Sequence, residues 1–544
     1  MSETTSLFPT LSEDLRHQLK QYGEVESVAA GTVLLTPGEK DFCCFVVLSG
    51  EMTISDPFRE DRVITVHKQG EFSGDSDMLS RRSTLVKGTM TEPGEVIRIQ
   101  PNALREIIAN VPEVSDILLQ AFLLRRDALI NSNQHGARLV GSRYSADTFR
   151  IREFLSKNDL PYTWLDVEKD EEAAVLLKTF DVPPESTPIL ITHEGEFCKN
   201  PTLETLAACF GISDYDRCQQ YDVVVVGAGP GGLAASVYAA SEGLNVLTVD
   251  ALGPGGQAGT SSKIENYLGF PTGISGRELA NRAYLQAQKF GGTIASPRTV
   301  KTMVCEGSQF TLTFDNEDSV SARSVVIASG AKYRKLPLDN LSDYEGKGVY
   351  YGATNMEAQT CSDEEVIVVG GGNSAGQATV FLAGHARKVH LFIRSGDLEH
   401  SMSKYLIQRI DQTPNVELHR HTEITALSGD GHLEEVTYKT KDQTHTLQTQ
   451  HVFTMIGASP CTEWASECVL LDKKGFVLTG SQLNRRQLSE AGWPEDKSPT
   501  LLETSKPGIY AVGDVRSEST KRVASAVGEG SMCISFVHRY LGAL

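Results

Sequence analysis

Two glycine-rich segments of this sequence have the residue types and spacing that bind nucleotide phosphates. The first follows an aliphatic run and contains Gly227, Gly229, Pro230 and Gly232. Gly227 permits a tight turn, Gly229 lets the backbone approach a pyrophosphate, and Gly232 permits close packing of a helix against the strand. The next predicted strand ends in Asp250, whose carboxylate can accept hydrogen bonds from a ribose diol. Together these features predict a dinucleotide site.

The second segment repeats the strand-to-helix turn. Its candidate binding residues are Gly370, Gly372, Asn373, Ser374, Ala375, Arg394 and Ser395. The strand predicted over residues 388–393 ends in Arg394 rather than in an acid. A guanidinium can bind a 2′-phosphate through two hydrogen bonds, whereas a carboxylate would repel it. The pattern therefore predicts NADPH rather than NADH at this segment and FAD at the first, with a solvated surface role as the alternative for Arg394.

The elements that must position these segments fall into distinct regions. Short β-type runs followed by a helical stretch at 114–130 indicate a small β-barrel closed by a helix. A region alternating strand, helix, strand, helix, hairpin and helix comes next, and alternating β and α units follow from Tyr221, with 481–506 read as a long loop. The predicted domains are 8–130, 137–213, 220–342 together with 455–544, and 343–454.

Composition limits the partners and the compartment. With 51 basic and 70 acidic residues the net charge is −19, which disfavours binding to nucleic acid or to an anionic membrane. No run reaches the roughly 18 apolar residues needed to span a bilayer, and residues 1–10 lack the pattern of a signal peptide. We therefore expect a cytoplasmic protein that binds neither nucleic acid nor membrane.

Residues 221–544 resemble a thioredoxin reductase of the two-domain flavoprotein kind. The resemblance rests on the loop at Gly227, the stretches 255–257 and 264–267, the strand 326–330, and the segments 513–514 and 521–523. It implies an FAD site and an NADPH site, a homodimer, and rotation of the NADPH domain about hinges near 340–348 and 453–458. The further FAD-binding residues that it implies are Gly256, Gln257, Asn266, Gly330, Gly513, Asp514, Arg522 and Val523.

The sequence departs from that family at the redox cysteines. In the family a Cys-x-x-Cys pair precedes the NADPH loop, and here the two positions hold Ala353 and Met356. Cys361 is single and displaced. None of the ten cysteines forms Cys-x-x-Cys, so the spacing indicates neither a zinc site nor a dithiol pair, and free thiols are expected.

Residues 137–213 resemble a glutaredoxin or thioredoxin-fold domain that also lacks its redox Cys-x-x-Cys pair. Residues 145–148, Ser-Ala-Asp-Thr, stand where the redox Cys-x-x-Cys would be. Thr187-Pro188 resembles the turn that carries a cis proline in such domains. A docking or structural role follows, because disulfide chemistry needs thiolates.

Residues 8–130 resemble a cyclic nucleotide-binding domain. Gly74 and Asp75 fit its strand–turn pattern, and Arg82, Ser83 and Thr84, preceded by a second arginine, fit its phosphate cassette. A cyclic phosphate needs backbone N–H groups and a guanidinium. A cyclic nucleotide is the candidate effector; a degenerate barrel used for packing or dimerisation is the alternative.

The sequence predicts a multidomain protein: a β-barrel, a thioredoxin-like α/β module and two Rossmann-like α/β dinucleotide-binding domains. We expect an FAD-dependent NADPH oxidoreductase whose acceptor is a quinone, another electron carrier or oxygen. No catalytic acid or base and no metal ligand is predicted, because flavin and nicotinamide carry the chemistry. The alternatives are a flavin-containing redox sensor with little turnover and a thioredoxin-disulfide reductase that uses non-standard cysteines.

Overall fold

A computed structural model describes most of the chain. The described residues are 7–57, 61–80, 82–131, 136–180, 182–192, 197–212, 215–441, 443–494 and 496–543. Arg81, Glu196 and the centre of the predicted linker at 131–136 lie outside them.

The N-terminal part, called the barrel below, is built from two antiparallel sheets and covered by helices. Its elements are α1 (Glu13–Leu19), β1 (Glu24–Val28), β2 (Val33–Leu35), β3 (Cys44–Val47), β4 (Glu51–Asp56), β5 (Arg62–His67), α2 (Asp77–Ser80), β6 (Lys87–Glu92), β7 (Gly94–Ile99), α3 (Pro101–Asn110) and α4 (Pro112–Asn131). The sheets have the orders β1-β7-β3 and β2-β6-β4-β5. Phe45, Phe72 and Phe122 are fully buried between them and α4, so the apolar strand faces form one core.

Residues 136–212, called the middle module, form a four-stranded sheet flanked by helices. The elements are β8 (Ala137–Gly141), α5 (Ala146–Lys157), β9 (Tyr162–Asp166), α6 (Glu171–Thr179), β10 (Ile189–Ile191), β11 (Phe197–Lys199) and α7 (Leu203–Phe210). The strand order is β11-β10-β8-β9, with β8 parallel to β9. The Thr187–Pro188 bond is cis, and Thr148 lies against Pro188 across Gly141. The element order is the one expected from the sequence.

The domain that contains Gly227, called the first-loop domain, has a mixed sheet covered by helices. Its first part contains β12 (Gln220–Val226), α8 (Pro230–Ser241), β13 (Val246–Val249), α9 (Gly276–Lys289), β14 (Thr293–Ala295), β15 (Val300–Glu306), β16 (Gln309–Phe314), β17 (Ser319–Ile327), β18 (Ala331–Tyr333) and α10 (Leu341–Tyr344). The chain returns to this domain near its C-terminal end with β27 (Ala458–Pro460), α14 (Arg485–Glu490), β28 (Ile509–Ala511) and α15 (Val523–Leu541). The sheet order is β14-β13-β12-β17-β16-β15, with β28 paired to β17. The strands β13, β12, β17 and β28 are parallel and bury valine-rich runs on both faces.

The domain that contains Gly370, called the second-loop domain, is inserted between β18 and β27. Its elements are β19 (Val349–Tyr350), α11 (Asn355–Ala358), β20 (Glu365–Val369), α12 (Asn373–Ala383), β21 (Lys388–Ile393), α13 (Lys404–Gln412), β22 (Val416–Arg420), β23 (Thr422–Ser428), β24 (Glu435–Thr440), β25 (Gln443–Gln448) and β26 (Val452–Thr454). A parallel sheet of order β19-β26-β20-β21-β22 carries the loop, and β23-β24-β25 form a separate antiparallel sheet.

Two sequence expectations about local structure are wrong. The segment 481–506 is not a plain loop, because it contains α14 and buries Leu488 and Trp493 in a small apolar cluster. Cys305 and Cys468 are not free thiols but are bonded to each other. The two cysteines are 163 residues apart, so only the packing of β15 against the segment at 463–465 brings them together.

Among the described residues no single helix is both long enough and apolar enough to cross a membrane. The helices α3 and α4 pass such a test only when they are taken as a pair, and they are bent by 117° at the break between them.

Candidate functional site

The turn after β12 is shaped by glycines that sterics require. Gly227 has a φ of 107°, and a Cβ on it would lie 2.2 Å from the Ala328 carbonyl oxygen. A Cβ on Gly232 would lie 1.8 Å from the Gly227 carbonyl oxygen. A side chain at Gly227 would therefore clash with the backbone that follows β17, and one at Gly232 would force α8 away from the turn.

The space beside Gly229 is open, in contrast to its two neighbours. Gly229 caps the N-terminus of α8, and a Cβ there would meet nothing closer than the Gly256 Cα at 3.8 Å. The first turn of α8 begins at Pro230 and presents backbone N–H groups to this space. An anion fits here, because the helix N-terminus carries both unpaired donors and the positive end of the dipole.

Asp250 lies at the carboxyl end of β13 beside the same space. One carboxylate oxygen accepts a hydrogen bond of 2.8 Å from the Ala228 N–H. The other accepts hydrogen bonds from the N–H groups of Leu252 and Gly253, at 3.0 and 2.9 Å. These bonds fix the orientation of the half-buried carboxylate and leave lone pairs that a ribose hydroxyl can reach.

One large cavity of about 1570 Å³ connects most of the predicted residues. It exceeds the roughly 300–1,000 Å³ of ordinary ligand pockets, which suits an extended dinucleotide with a second ligand. The predicted residues that line it are Gly227, Gly229, Pro230, Asp250, Gly256, Gln257, Asn266, Gly330, Asn373, Ser374, Gly513, Asp514, Arg522 and Val523. Residues of both glycine loops thus open into the same space.

The second loop has the same local design. Gly370 has a φ of 143°, and a Cβ on it would lie 2.5 Å from the Met455 carbonyl oxygen. Gly372 caps α12, and the buried Ala375 takes the third small position. The Asn373 side chain accepts a hydrogen bond of 2.7 Å from the Ser403 N–H, which joins the loop to the start of α13.

Arg394 and Ser395 directly follow β21 and do not line the large cavity. Arg394 is exposed, and the Ser395 hydroxyl donates a 2.7 Å hydrogen bond to the Asp397 carbonyl. This places an exposed guanidinium at the carboxyl end of a parallel strand, the edge at which nucleotides bind in such sheets.

The C-terminal part of the cavity is fixed by an ion pair that sequence reasoning missed. Glu529 accepts a hydrogen bond of 2.7 Å from the Gly513 N–H and pairs with Arg516 at 2.8 Å. Arg522 caps the N-terminus of α15, so this helix end also points to the cavity. Burial raises the pKa of the Asp514 carboxyl above its usual range, despite the nearby Lys521.

The two positions that match the redox cysteines of the reductases hold residues that cannot form a disulfide. Ala353 is buried and forms a β-bridge with Ser261, and Met356 is half-buried in α11. Cys361 is fully buried, which raises the pKa of its thiol to about 12. Cys461 lines the large cavity, and burial raises its thiol pKa as well. Both thiols stay protonated near neutral pH, so neither supplies a thiolate.

Glu357, next to Met356, is a cavity-lining carboxyl group that the sequence analysis did not single out. It is buried, and it accepts a 2.7 Å hydrogen bond from the Thr354 N–H and another from the Thr354 hydroxyl. Burial raises its pKa above the usual range. The capping box that it forms was visible in the sequence as a threonine followed three residues later by a glutamate.

The middle module covers the segment around Met356. The buried Arg152 of α5 donates a 3.3 Å hydrogen bond to the Met356 carbonyl, and Phe149 packs on Tyr350 at 5.5 Å between ring centroids. Tyr144 stacks on His432 of the second-loop domain, with centroids 4.0 Å apart. Phe149 and Arg152 also line the large cavity. Sequence patterns carry no signal for such contacts between domains.

The predicted effector residues of the barrel lie in one loop region. Gly74 has a φ of 106°, and its carbonyl accepts a 2.7 Å hydrogen bond from Arg125. Ser83 is half-buried, and Thr84 is buried with its hydroxyl donating to the Val86 carbonyl at 3.4 Å. The loop is thus ordered by its own contacts.

Of the two charged members of this loop, Arg82 contacts the first-loop domain and Asp75 lies near Arg126 of α4. Burial and the adjacent Asp77 raise the pKa of Asp75 to about 6. Arg82 is buried, with its guanidinium 3.8 Å from Asp77 and 5.6 Å from the centre of the Tyr284 ring on α9. A cavity of about 320 Å³ lies beside them, between the barrel, the middle module and α9. Arg82 therefore links the predicted effector loop to the domain that carries the first glycine loop.

Two glycine-loop α/β domains that open into one cavity define a nucleotide-dependent oxidoreductase of the two-dinucleotide kind. Residues 221–530 match the family described as pyridine nucleotide-disulphide oxidoreductase, and the chain belongs to this family. Residues 25–111 match the cyclic nucleotide-binding domain. The barrel is therefore a β-rich domain of that class, fused to the oxidoreductase.

Curated relatives match the oxidoreductase part over almost their whole length. The thioredoxin reductase of Treponema pallidum is 30% identical over 326 residues, which are 60% of this chain and 98% of the relative. That of Mycoplasmopsis pulmonis is 29% identical over 313 residues, 57% of this chain and 94% of the relative. The 34.2 kDa protein in the rubredoxin operon of Clostridium pasteurianum is 29% identical over 328 residues, 60% of this chain and 98% of the relative.

Solved structures agree with this relationship. Lactococcus lactis thioredoxin reductase in the FR conformation has a TM-score of 0.53 at 25% identity and covers 60% of this chain and 100% of its own. The T. acidophilum thioredoxin reductase has a TM-score of 0.52 at 28% identity, and the match covers 59% of this chain and 99% of the T. acidophilum chain. The chain is thus a thioredoxin reductase-like, NADPH-dependent flavoprotein oxidoreductase, and FAD and NADPH are the cofactors of this family.

Proposed function

We propose that this protein passes electrons from NADPH through FAD to a small-molecule acceptor, and not to a protein disulfide. The observation that carries the proposal is the chemistry of residues 353–356. The alanine and methionine at the two cysteine positions cannot form a disulfide, and the nearby Cys361 and Cys461 have raised thiol pKa values. A relay of electrons through protein sulfur has no starting thiolate here.

The first loop fits FAD. The open space beside Gly229, at the N-terminus of α8, suits the pyrophosphate, and the oriented carboxylate of Asp250 suits the adenosine ribose. Gly513 and the N-terminus of α15, begun by Arg522 and Val523, suit the other end of the cofactor. When bound, FAD and NADPH supply the hydride and electron transfer, and the protein supplies orientation and exclusion of water.

The second loop fits NADPH. Asn373 and Ser374 line the same cavity as the first loop, so a nicotinamide bound beside them would lie in the cavity proposed for the flavin. The exposed Arg394 suits a 2′-phosphate. An ion pair of 2.7 Å between Arg409 and Glu265 joins the two domains in this arrangement.

The acceptor is proposed to be small because the middle module covers the segment 350–360. A second protein that approached Met356 from the side of α5 would have to displace this helix, whose Arg152 and Phe149 contact the segment. We therefore assign the thioredoxin-like module, predicted over 137–213, a structural role in which it covers this segment. A quinone is the acceptor class chosen for testing.

The test is an anaerobic titration of the purified protein, after its flavin has been extracted and identified. We expect one FAD per chain that bleaches on addition of NADPH and is reoxidised by a small soluble quinone. A flavin that does not bleach within seconds would instead support the redox-sensor alternative. Light scattering of the same sample tests the predicted homodimer.

We further propose that a cyclic nucleotide bound to the barrel regulates the flavin site, supported by the 3.5 Å hydrogen bond that Arg82 donates to the Tyr284 hydroxyl. A cyclic phosphate would attract the Arg82 guanidinium, so ligand-bound and ligand-free states would differ in this contact. Cyclic AMP and cyclic GMP should change the rate of NADPH oxidation, and Tyr284→Phe should reduce the change. Calorimetry that detects no binding of either nucleotide would leave the barrel with a packing role.

A further inference from the structure

A cluster of metal-ligand side chains lies in the second-loop domain, on the β21–β22 edge of its sheet. The Nδ1 atom of His390 is 3.0 Å from the Nε2 atom of His419. The Glu417 carboxylate lies 3.9 Å from the first nitrogen and 3.5 Å from the second. One ligand atom from each of the three residues can be chosen so that all lie within 4.8 Å of one another.

The strand register explains why these side chains meet. β21 and β22 are parallel, and His390 is the register partner of Glu417, while His419 lies two residues further along β22. Residues two apart on a strand point to the same face. β22 is the outermost strand of this sheet, and its backbone pairing with β21 fixes the register that brings the three side chains together.

The separations match those of ligands that share a small divalent ion. Two ligands at 2.0–2.1 Å from a tetrahedral zinc ion lie about 3.3 Å apart. The 3.0 Å between the two imidazole nitrogens and the 3.5 Å between Oε1 of Glu417 and Nε2 of His419 are close to this value, while the other carboxylate oxygen, Oε2, lies 3.9 Å from Nδ1 of His390. Two imidazoles and one carboxylate are a donor set that zinc accepts readily. Three protein ligands leave a fourth position for water.

A neighbouring carboxylate prepares His390 for this role. Glu365 lies 3.2 Å from the Nε2 atom of His390, on the side away from His419. A carboxylate there holds the imidazole proton on Nε2 and leaves the Nδ1 lone pair directed at the cluster, as in carboxylate–histidine–metal arrangements. The side chain of His390 is only 6% exposed, so it cannot rotate freely to another partner.

The cluster is packed against aromatic rings on one side and is accessible to solvent at Glu417. The Phe392 and Tyr438 rings pack against His419, with centroids 4.9 and 6.1 Å from its ring. The Glu417 side chain is 49% exposed and gives access from solvent. Lys388 contacts one Glu417 oxygen at 2.6 Å, and the other oxygen faces His419. Oε1 of Glu417 is therefore available to a metal ion that also binds His419, while Lys388 pairs with Oε2.

We propose that His390, Glu417 and His419 form a site for a zinc-class divalent cation that ties β21 to β22. The site lies four residues before Arg394 on the same strand, so a bound ion would stabilise the strand end that carries this arginine. It is independent of the proposed electron acceptor, because none of the three residues lines the large cavity.

The test uses the full-length protein after treatment with a chelator and dialysis. Zinc binding is measured by calorimetry and by metal analysis after gel filtration, and Co²⁺ is used as a spectroscopic probe of the ligands. We expect one zinc per chain, lost in His419→Ala and in Glu417→Gln, and visible Co²⁺ absorption that zinc removes. Glu365→Gln should keep the site but weaken zinc binding by about 10–100-fold.

Matched variants separate the site from general histidine binding and from misfolding. His385→Ala removes an exposed histidine of the same domain and should leave zinc binding unchanged. Glu417→Gln changes an exposed side chain, so loss of zinc with an unchanged circular dichroism spectrum supports the site even if His419→Ala fails to fold. Absence of zinc binding by the wild-type protein, or binding that survives both Glu417→Gln and His419→Ala, would overturn the proposal.

Discussion

The guanidinium of Arg152 donates hydrogen bonds to the Met356 carbonyl and to the Gln359 side chain, at 3.3 and 3.2 Å. It also lies 3.7 Å from the centre of the Trp164 ring. One buried side chain of the middle module thus holds the segment that carries reactive cysteines in thioredoxin reductases. This module therefore acts by covering the site, since neither of the two contacting segments retains a pair of redox cysteines.

Loss of this contact should loosen the segment 350–360. Arg152→Ala removes a buried cation, two hydrogen bonds and a cation–π contact, and we expect a loss of about 2–4 kcal/mol in local stability. Hydrogen exchange of the amides in 350–360 should accelerate accordingly. Arg150→Ala is the matched control, because Arg150 contacts Asn200 and Pro201 within the module. Equal protection in both variants would contradict the covering role.

Flavin binding should depend on the open space at Gly229. Gly229→Val should preserve the fold, because a Cβ meets nothing closer than 3.8 Å, but the larger side chain would fill the space proposed for the pyrophosphate. We expect purified protein with less than about a tenth of the wild-type flavin content, since the loss of even ~1.4 kcal/mol lowers affinity tenfold. Gly528→Ala, at an open position in α15, serves as the control. Full flavin content in Gly229→Val would exclude the proposed pyrophosphate position.

The choice of nicotinamide cofactor should depend on Arg394. Arg394→Ala should raise the KM for NADPH by about 10–100-fold, because a charge-assisted hydrogen bond contributes about 1.5–3 kcal/mol. The KM for NADH should change little, since NADH has no 2′-phosphate. Steady-state kinetics with both cofactors provide the measurement. An equal effect on the two would show that Arg394 is only a solvated surface residue.

Asp75 should make the barrel less stable as the pH rises. Its folded pKa of about 6 lies above that of an exposed aspartate, which is about 3.9, so the unfolded state loses this proton first. Stability should fall between pH 4 and pH 6 by about 1–3 kcal/mol and change little from this cause at higher pH. Asp75→Asn keeps the acceptor for the Asp77 N–H and should remove the fall. Urea unfolding midpoints at pH 4.5 and 7.5 test this prediction, and the exposed Asp116→Asn serves as the control. Identical pH profiles of stability for Asp75→Asn and wild type would contradict the prediction.

Local patterns in the sequence were sufficient for the secondary structure around the two loops. The strand expected at 388–393 has those bounds in the structure, because an aliphatic run acts over a few residues. The turns at Gly227 and Gly370 have the positive φ that the glycines allow.

Contacts between distant segments could not be predicted in the same way. The cluster of His390 and His419 depends on the register of two parallel strands, and the Cys305–Cys468 bond joins residues far apart in the chain. The contact of Arg152 with Met356 depends on how two domains pack. A single sequence carries no periodicity or spacing signal for such pairs.

The most direct test of the central claim is rapid-mixing reoxidation of the NADPH-reduced flavin under anaerobic conditions. We expect a small quinone to reoxidise the flavin within seconds and oxidised thioredoxin to leave it reduced. Cys361→Ala should give the same result as wild type and as the buried-cysteine control Cys533→Ala. Reoxidation by thioredoxin at a rate comparable to that with quinone, abolished by Cys361→Ala but not by Cys533→Ala, would contradict the account and restore disulfide reduction as the function.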